Sequence, residues 1–197
     1  MQNVFFCHQP FYQNDEKGAY DACRFDRTDD GKRIHFASAM TLLGLNDGDN
    51  ATTGHGYIDI VDFIISGCTD VDANLRELFR RVAFNICVGN SDDHFRNHGF
   101  LLTARGWILS PAYDMNPTLN DHQSLLINSK TNESDLSILL NSCEEYMHTP
   151  EVAKSVINEV VAAVKDWRVL ANRLGITKRE MSLFEEVFEN RTNFNKM

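Results

Sequence analysis

The sequence has few cysteines, and none of them is placed to form a metal site or a disulfide framework. Its five cysteines are scattered, odd in number and never arranged as C-x-x-C. A disulfide framework needs paired cysteines, and a structural zinc site needs closely spaced ligands. We therefore expect reduced thiols in a cytoplasmic protein, and we do not expect a disulfide-rich or zinc-bound domain.

Long apolar runs are also missing. No stretch approaches the roughly 20 apolar residues that a helix needs to cross a bilayer. The first residues, MQNVFFCHQPFY, lack the basic start and apolar block of a secretory signal peptide. We expect no membrane partner.

Basic residues are in the minority, with 19 Lys and Arg against 28 Asp and Glu and a formal net charge of −9. A surface of that sign repels the phosphate backbone of DNA or RNA. Direct nucleic-acid binding is therefore not expected as the main role of this chain.

The sequence does contain enough apolar residues for the core of one domain, at 43% of 197 residues. Apolar residues at three- and four-residue steps predict a helix over 73–88 with Asp72 as its N-cap. Three further stretches after residue 133 are helical in pattern, namely DLSILLNSCEEYM, PEVAKSVINEVVAAVKDWRVLANRL and KREMSLFEEVFEN. GAYDACRFDR (18–27) predicts a strand, and GFLLT with WILS predicts a β-hairpin. We predict a mainly α domain with this small β element in its middle.

One strongly polar segment, NSDDHFRN (90–97), lies between the predicted helix and the hairpin. Within it, Asp92 and Asn97 have the spacing D-x-x-x-x-N, and Asp114 follows beyond the hairpin. Phosphoryl transfer needs a carboxylate to accept the hydroxyl proton and oxygen ligands for Mg²⁺. Protein kinases supply these groups in the same order, with the second carboxylate beyond a short hairpin. The spacing therefore favours a phosphoryl-transfer site.

This segment and four other stretches resemble the HipA-like serine/threonine kinases, the toxin kinases of bacterial toxin–antitoxin pairs. The matching stretches are RFDR (24–27), GKRIHFASAMTLLGL (31–45), LRELFRRVAFN (75–85), NSDDHFRNHGFLL (90–102) and SPAYDMNPT (110–118). The resemblance covers roughly residues 18 to 170. It implies a protein-kinase-like C-terminal helical lobe over 28–197 with a small β-hairpin at the catalytic loop, preceded by an N-terminal segment and hinge strand over 1–27.

The resemblance also assigns roles by position. It implies that Asp92 is the catalytic base, that Asn97 and Asp114 bind Mg²⁺, and that ATP is the phosphate donor. The residues that it implies around the nucleotide are Cys23, Arg24, Phe25, His94, Phe95, Arg96 and Asn97. From the residues alone, His94 is as consistent with a packed side chain as with a nucleotide contact. Asp93 is expected to support the site or face solvent, and His98 to be structural.

The partners follow from the resemblance as well. It implies transfer of the ATP γ-phosphate to a protein Ser or Thr, with aminoacyl-tRNA synthetases among the substrates. It further implies a helix-turn-helix antitoxin that supplies the DNA binding. The chain has no Gly-rich phosphate loop: GHG (54–56) is its only G-x-G, and Lys17 lies in a predicted turn. We therefore expect a C-terminal lobe that needs a separate N-lobe protein and has negligible kinase activity alone.

Two functions from other classes stay open at this point. Asp92, Asp93, His94, His98 and Asp114 could gather a transition metal, because mixtures of His and carboxylate favour Zn, Mn or Fe, and the protein would then be a metal-dependent phosphohydrolase. Alternatively, the chain could be a non-catalytic module that binds an antitoxin or an N-lobe protein. The matching stretches outside the polar segment favour the kinase over a convergent metal site.

Overall fold

The computed structural model describes the backbone of residues 13–14 and 19–20 and all atoms of residues 24–192. The strands are β1 (Gln13–Asn14), β2 (Ala19–Tyr20), β3 (Phe36–Ser38), β4 (Gly99–Thr103) and β5 (Gly106–Leu109). The α-helices are α1 (Ala39–Leu43), α2 (Tyr57–Gly67), α3 (Val71–Val88), α4 (Leu136–Asn141), α5 (Pro150–Lys165), α6 (Trp167–Arg173) and α7 (Lys178–Thr192). Two short 3₁₀ helices cover Ala51–Thr53 and Cys143–Tyr146. The prediction of a mainly α domain is confirmed.

Helix α3 forms the centre of the hydrophobic core. Its predicted apolar stripe is buried, and the buried stripe residues are Leu75, Leu78, Phe79, Val82 and Ile86. This stripe packs chiefly against α5, whose buried face includes Val156, Ile157 and Val160. A continuous helix through the core gives a rigid support for the polar segment that follows it.

The predicted hairpin is present, and it is part of a larger sheet. Strands β3, β4 and β5 form an antiparallel sheet in that order, with Phe36 opposite Leu101 and Phe100 opposite Leu109. The Phe36 ring lies so close to Gly99 that a Cβ there would be 2.1 Å from a ring carbon. Gly99 is therefore needed where β3 crosses the start of the hairpin. Strand β3 was not predicted, because FAS is too short to show an alternating pattern.

Three predicted boundaries were wrong. Residues 24–27 of the predicted strand form a turn, in which the Asp26 carboxylate accepts hydrogen bonds from Arg24 and Arg27. Helix α3 begins two residues early, and Asp70 in the left-handed conformation takes the N-cap position predicted for Asp72. The long helix predicted after residue 149 is divided at Asp166 into α5 and α6.

The predicted helix starts at α5 and α7 are confirmed. Thr149 accepts a hydrogen bond from the Val152 amide at 3.4 Å, and Pro150 is the first helical residue of α5. Thr177 and Glu180 form the predicted capping box, with the Thr177 amide donating to the Glu180 carboxylate at 2.9 Å. None of the helices in 24–192 combines the length and the apolar character that a bilayer crossing requires.

Candidate active site

The polar segment is a tight loop that begins where α3 ends. Gly89 ends the helix in the left-handed conformation, with φ of 72°, and the loop then runs to β4. Along the loop, buried and accessible residues alternate, so that Asp92 and Arg96 are exposed while Asp93 and Asn97 point inward. The alternation gives the loop an inner face that anchors it and an outer face that is free to react.

Asp93 is the anchor of the inner face. Its carboxylate is 3% exposed and accepts hydrogen bonds from Tyr57 Oη at 2.7 Å and Asn85 Nδ2 at 2.6 Å. The ring of His98, also buried, lies 2.8 Å from the same oxygen through Nε2. Burial, together with the Asp93 charge, raises the pKa of Tyr57 well above its ordinary value, so the phenol remains a donor. Asp93 and His98 therefore support the loop, as expected from the sequence.

Asp92 and Asn97 are joined by a hydrogen bond across the loop, although Asn97 is buried and Asp92 is exposed. The Asn97 amide nitrogen donates to the Asp92 backbone carbonyl at 3.4 Å, which leaves its carbonyl oxygen as the group available to a cation. The Asp92 carboxylate is exposed to solvent. A free carboxylate beside a fixed amide oxygen is the arrangement that a base and a metal ligand on one loop would need.

Asp114 lies on the second loop, directly after the sheet. Its backbone has φ of 56°, a left-handed conformation that is uncommon for a residue other than Gly. The exposed carboxylate accepts a hydrogen bond from Asn116 Nδ2 at 2.7 Å. This contact orients one oxygen and leaves the other available to a cation.

The two loops are joined through Tyr113. Its hydroxyl donates to the carbonyl oxygen of Arg96 at 2.5 Å. The Tyr113 ring stacks on Phe25, with ring centroids 5.7 Å apart. Burial raises the pKa of Tyr113 to about 12, so the hydroxyl keeps its proton at neutral pH. The Tyr113 hydrogen bond thus holds the end of the Asp92–Asn97 loop beside the loop that carries Asp114.

Oxygen ligands of this kind fit magnesium. Mg²⁺ binds proteins through one or two carboxylates, with the remaining positions taken by water and phosphate oxygens. Asn97 and Asp114 would supply an amide oxygen and a carboxylate, and Asp92 stays free as a base. Their assignment remains a prediction, as does ATP binding.

The other predicted nucleotide-side residues have different surroundings. Arg24 pairs with Asp26, and Arg96 pairs with Asp47, so both guanidinium groups are engaged at the surface. Phe95 is buried in the core, where its ring packs edge-on against His55 at 6.3 Å. Its side chain is therefore directed into the protein and away from the open face of the loop.

His94 and Phe25 fit the prediction better. His94 lies between Asp92 and Asn97 in the sequence, and its side chain is half-buried. The Phe25 ring stacks on Tyr113, in the loop that carries Asp114. Cys23 lies outside the described residues. The nucleotide contacts of all these residues stay predictions.

The mixed metal site considered for a phosphohydrolase is not formed. Asp93 and His98 are buried and bonded to each other, while Asp92 and Asp114 are exposed on separate loops. Within 24–192, no three His, Cys, Asp or Glu side chains converge as a metal site would require. The residues considered for the phosphohydrolase therefore do not converge on one metal position in the described part of the chain.

Sequence reasoning missed Tyr57, Asn85 and Tyr113. Asn85 was detectable as a polar residue close to the buried stripe of α3, where an unpaired amide would be costly. The only sequence signal for Tyr113 was its position next to Asp114. Tyr57 resembles an ordinary apolar position of α2 in the sequence, and its hydroxyl partner comes from a loop 36 residues away in sequence.

Comparisons with known proteins agree with this geometry. Residues 9–168 match the model of the HipA-like C-terminal domain family. A protein from Haemophilus influenzae described as a putative kinase is 30% identical over 108 residues, which are 52% of this chain and 32% of that protein.

A solved structure shares the fold. HipA of Shewanella oneidensis, determined with HipB and operator DNA, superposes with a TM-score of 0.67 at 16% identity. The superposition covers 86% of this chain and 46% of HipA, so the chain spans less than half of either relative. The predicted protein-kinase-like C-terminal lobe is thereby confirmed as the fold class. The chain belongs to the HipA-like C-terminal domain family.

Proposed function

We propose that this chain carries the catalytic base and the magnesium ligands of a HipA-like serine/threonine protein kinase. The observation that supports the proposal is the hydrogen bond of Tyr113 to the Arg96 carbonyl, which joins the two loops. Asp92 and Asn97 lie on one loop, and Asp114 lies on the other. The fold and the family of the relatives support the same reading.

Each residue has a distinct task in this proposal. Asp92 would accept the proton of the substrate Ser or Thr hydroxyl as that oxygen attacks the γ-phosphorus of ATP, and the bond from that phosphorus to the bridging oxygen breaks to release ADP. Asn97 and Asp114 hold Mg²⁺, which neutralises charge on the phosphate oxygens when bound. The buried Asp93 network keeps the loop that carries Asp92 and Asn97 in place.

The partners of this chain are proposals that rest on its family. The solved HipA is in complex with HipB and operator DNA. We propose that a helix-turn-helix antitoxin binds this chain and supplies the DNA contact, which suits the net charge of −9. Protein substrates, aminoacyl-tRNA synthetases among them, and an N-terminal lobe that positions the β- and γ-phosphates belong to the same proposal. Negligible activity of the 197 residues alone stays a prediction.

Calorimetric titration with ATP and Mg²⁺ tests the proposal. We expect measurable Mg²⁺-dependent binding by the wild type and at least about tenfold weaker binding by Asp114→Asn, a loss of about 1.4 kcal/mol, because the amide removes the charge that faces the metal. Asp62→Asn is the matched control, since Asp62 is an exposed carboxylate on α2. Equal affinities for the wild type and Asp114→Asn would remove Asp114 from the site and leave a non-catalytic binding module as the better description.

A further inference from the structure

One hydrogen bond connects the residues that immediately precede the two proposed metal ligands. Arg96 precedes Asn97, and Tyr113 precedes Asp114. The Tyr113 hydroxyl donates to the Arg96 carbonyl oxygen at 2.5 Å. The whole β4–β5 hairpin lies between these two residues in the sequence. The bond therefore ties the two ligand-bearing loops together where the covalent path between them is long.

The Tyr113 ring is held in a fixed position. It stacks on Phe25 at a centroid distance of 5.7 Å and an interplanar angle of 29°. Phe36 of β3 meets it edge-on at 6.2 Å. Aromatic packing on two sides restricts the ring, so the hydroxyl is aimed at the Arg96 carbonyl with little further loss of conformational freedom.

The segment that leads to Asp114 is anchored at both ends. At its start, the Arg81 guanidinium of α3 donates to the Ser110 carbonyl oxygen. At its end, Tyr113 makes the bond to Arg96. Asp114 then takes its left-handed conformation, which is less favourable than an ordinary backbone conformation and needs support from its surroundings. Of these contacts, the Tyr113 hydrogen bond is the one that fixes the position of Asp114 relative to the other loop.

We propose that Tyr113 is a positioning residue that sets the distance between Asn97 and Asp114 and so gives the site its preference for magnesium. This inference rests on the proposed function. Mg²⁺ demands nearly ideal octahedral geometry, whereas Ca²⁺ accepts longer and more variable ligand distances. Releasing one loop from the other should therefore weaken Mg²⁺ binding more than Ca²⁺ binding.

The test compares Tyr113→Phe with the wild type. The substitution keeps the ring and its packing and removes only the hydroxyl. ATP affinity is measured by calorimetry with Mg²⁺, with Ca²⁺ and with EDTA. We expect about a tenfold loss of affinity with Mg²⁺, in the range found when residues that orient metal ligands are changed. We expect a smaller loss with Ca²⁺ and no change in EDTA.

Tyr146→Phe is the matched control. The Tyr146 hydroxyl also donates to a backbone carbonyl, that of Ile127, but in the core and not between the two loops. Its loss should lower stability and leave the ratio of Mg²⁺ to Ca²⁺ affinities unchanged. A Tyr113→Phe protein with the wild-type ratio would overturn this inference alone. A wild type without Mg²⁺-dependent binding would overturn the proposed function and this inference together.

Discussion

Asp92 and Asp93 are neighbours with opposite surroundings. Asp92 is exposed on the outer face of the loop, whereas Asp93 is buried with three hydrogen-bonding partners. A carboxylate in the protein interior is stable only when its oxygens are paired, because it has lost its hydration. The Asp92 carboxylate is therefore accessible to a substrate, whereas the Asp93 carboxylate stabilises the loop.

Alanine substitutions separate these two roles. Asp93→Ala leaves Tyr57 Oη and Asn85 Nδ2 without their buried acceptor, so we expect a loss of about 3–5 kcal/mol in the free energy of unfolding. Asp92→Ala should change it by no more than about 0.5 kcal/mol, as is usual for exposed positions. Urea unfolding followed by circular dichroism measures both. Similar losses for the two variants would contradict the division of roles.

Some residues of the site could be predicted from the sequence, and others could not. The candidate base and metal ligands, Asp92, Asn97 and Asp114, follow from spacing and from the resemblance, because these features are local. The anchor role of Asp93 depends on Tyr57 and Asn85, which come from two different helices. Such partners are set by tertiary packing, which spacing along the chain does not record.

Helix α7 contacts the segments that carry the site, and it lies outside the range 9–168 that matches the family model. Its Arg191 donates to the Asn120 carbonyl oxygen at 2.6 Å, in the segment that follows the Asp114 loop. That segment is joined to the end of α3, where the Thr118 amide donates to the Gly89 carbonyl at 2.9 Å. The end of α3, the segment after Asp114 and α7 thus meet at Gly89.

Gly89→Ala measures how tightly these elements meet. A Cβ on Gly89 would lie 2.7 Å from the Thr118 oxygen and 2.7 Å from a Val187 methyl group, and φ is already 72°. We expect a loss of about 2–4 kcal/mol in thermal or urea unfolding, from the left-handed conformation and the overpacking together.

Gly44→Ala is the control that measures the cost of the left-handed backbone conformation alone. Gly44 also ends a helix, with φ of 67°, and a Cβ there would meet no described atom within 4 Å. Its substitution should cost only the conformational part, about 1 kcal/mol. If Gly89→Ala costs no more than Gly44→Ala, the packing of α7 on this junction is looser than the structure indicates.

Elements with strong internal periodicity were predicted well, and those shaped by neighbours were not. The stripe of α3 and the caps of α5 and α7 are local signals, and the structure confirms them. The break at Asp166 has a tertiary cause. Trp167 stacks on Phe188 of α7 at 4.8 Å, and Arg168 pairs with carboxylates of α7, so the first residues of α6 are held by α7. No Gly or Pro in the sequence marks that position.

The whole molecule joins a helical core to a small sheet that bears two functional loops. Helix α3 carries the first loop at its end, and strand β5 leads into the second. The fold class was predictable because amphipathic helices dominate the composition, and the resemblance gave the order of the elements. The resemblance implied that the two loops meet, but the Tyr113 hydrogen bond that joins them could not be predicted, because it depends on how the hairpin packs beside α3.

A crystal structure of this chain with Mn²⁺ and a non-hydrolysable ATP analogue tests the central claim most directly, since Mn²⁺ takes the same oxygen ligands as Mg²⁺ and is located by its anomalous signal. We predict an anomalous peak at a metal ion that is bound by the Asn97 amide oxygen and the Asp114 carboxylate. The Asp92 carboxylate should lie beside the γ-phosphate without binding the metal. A metal held by other residues, or a nucleotide bound away from these two loops, would contradict the account.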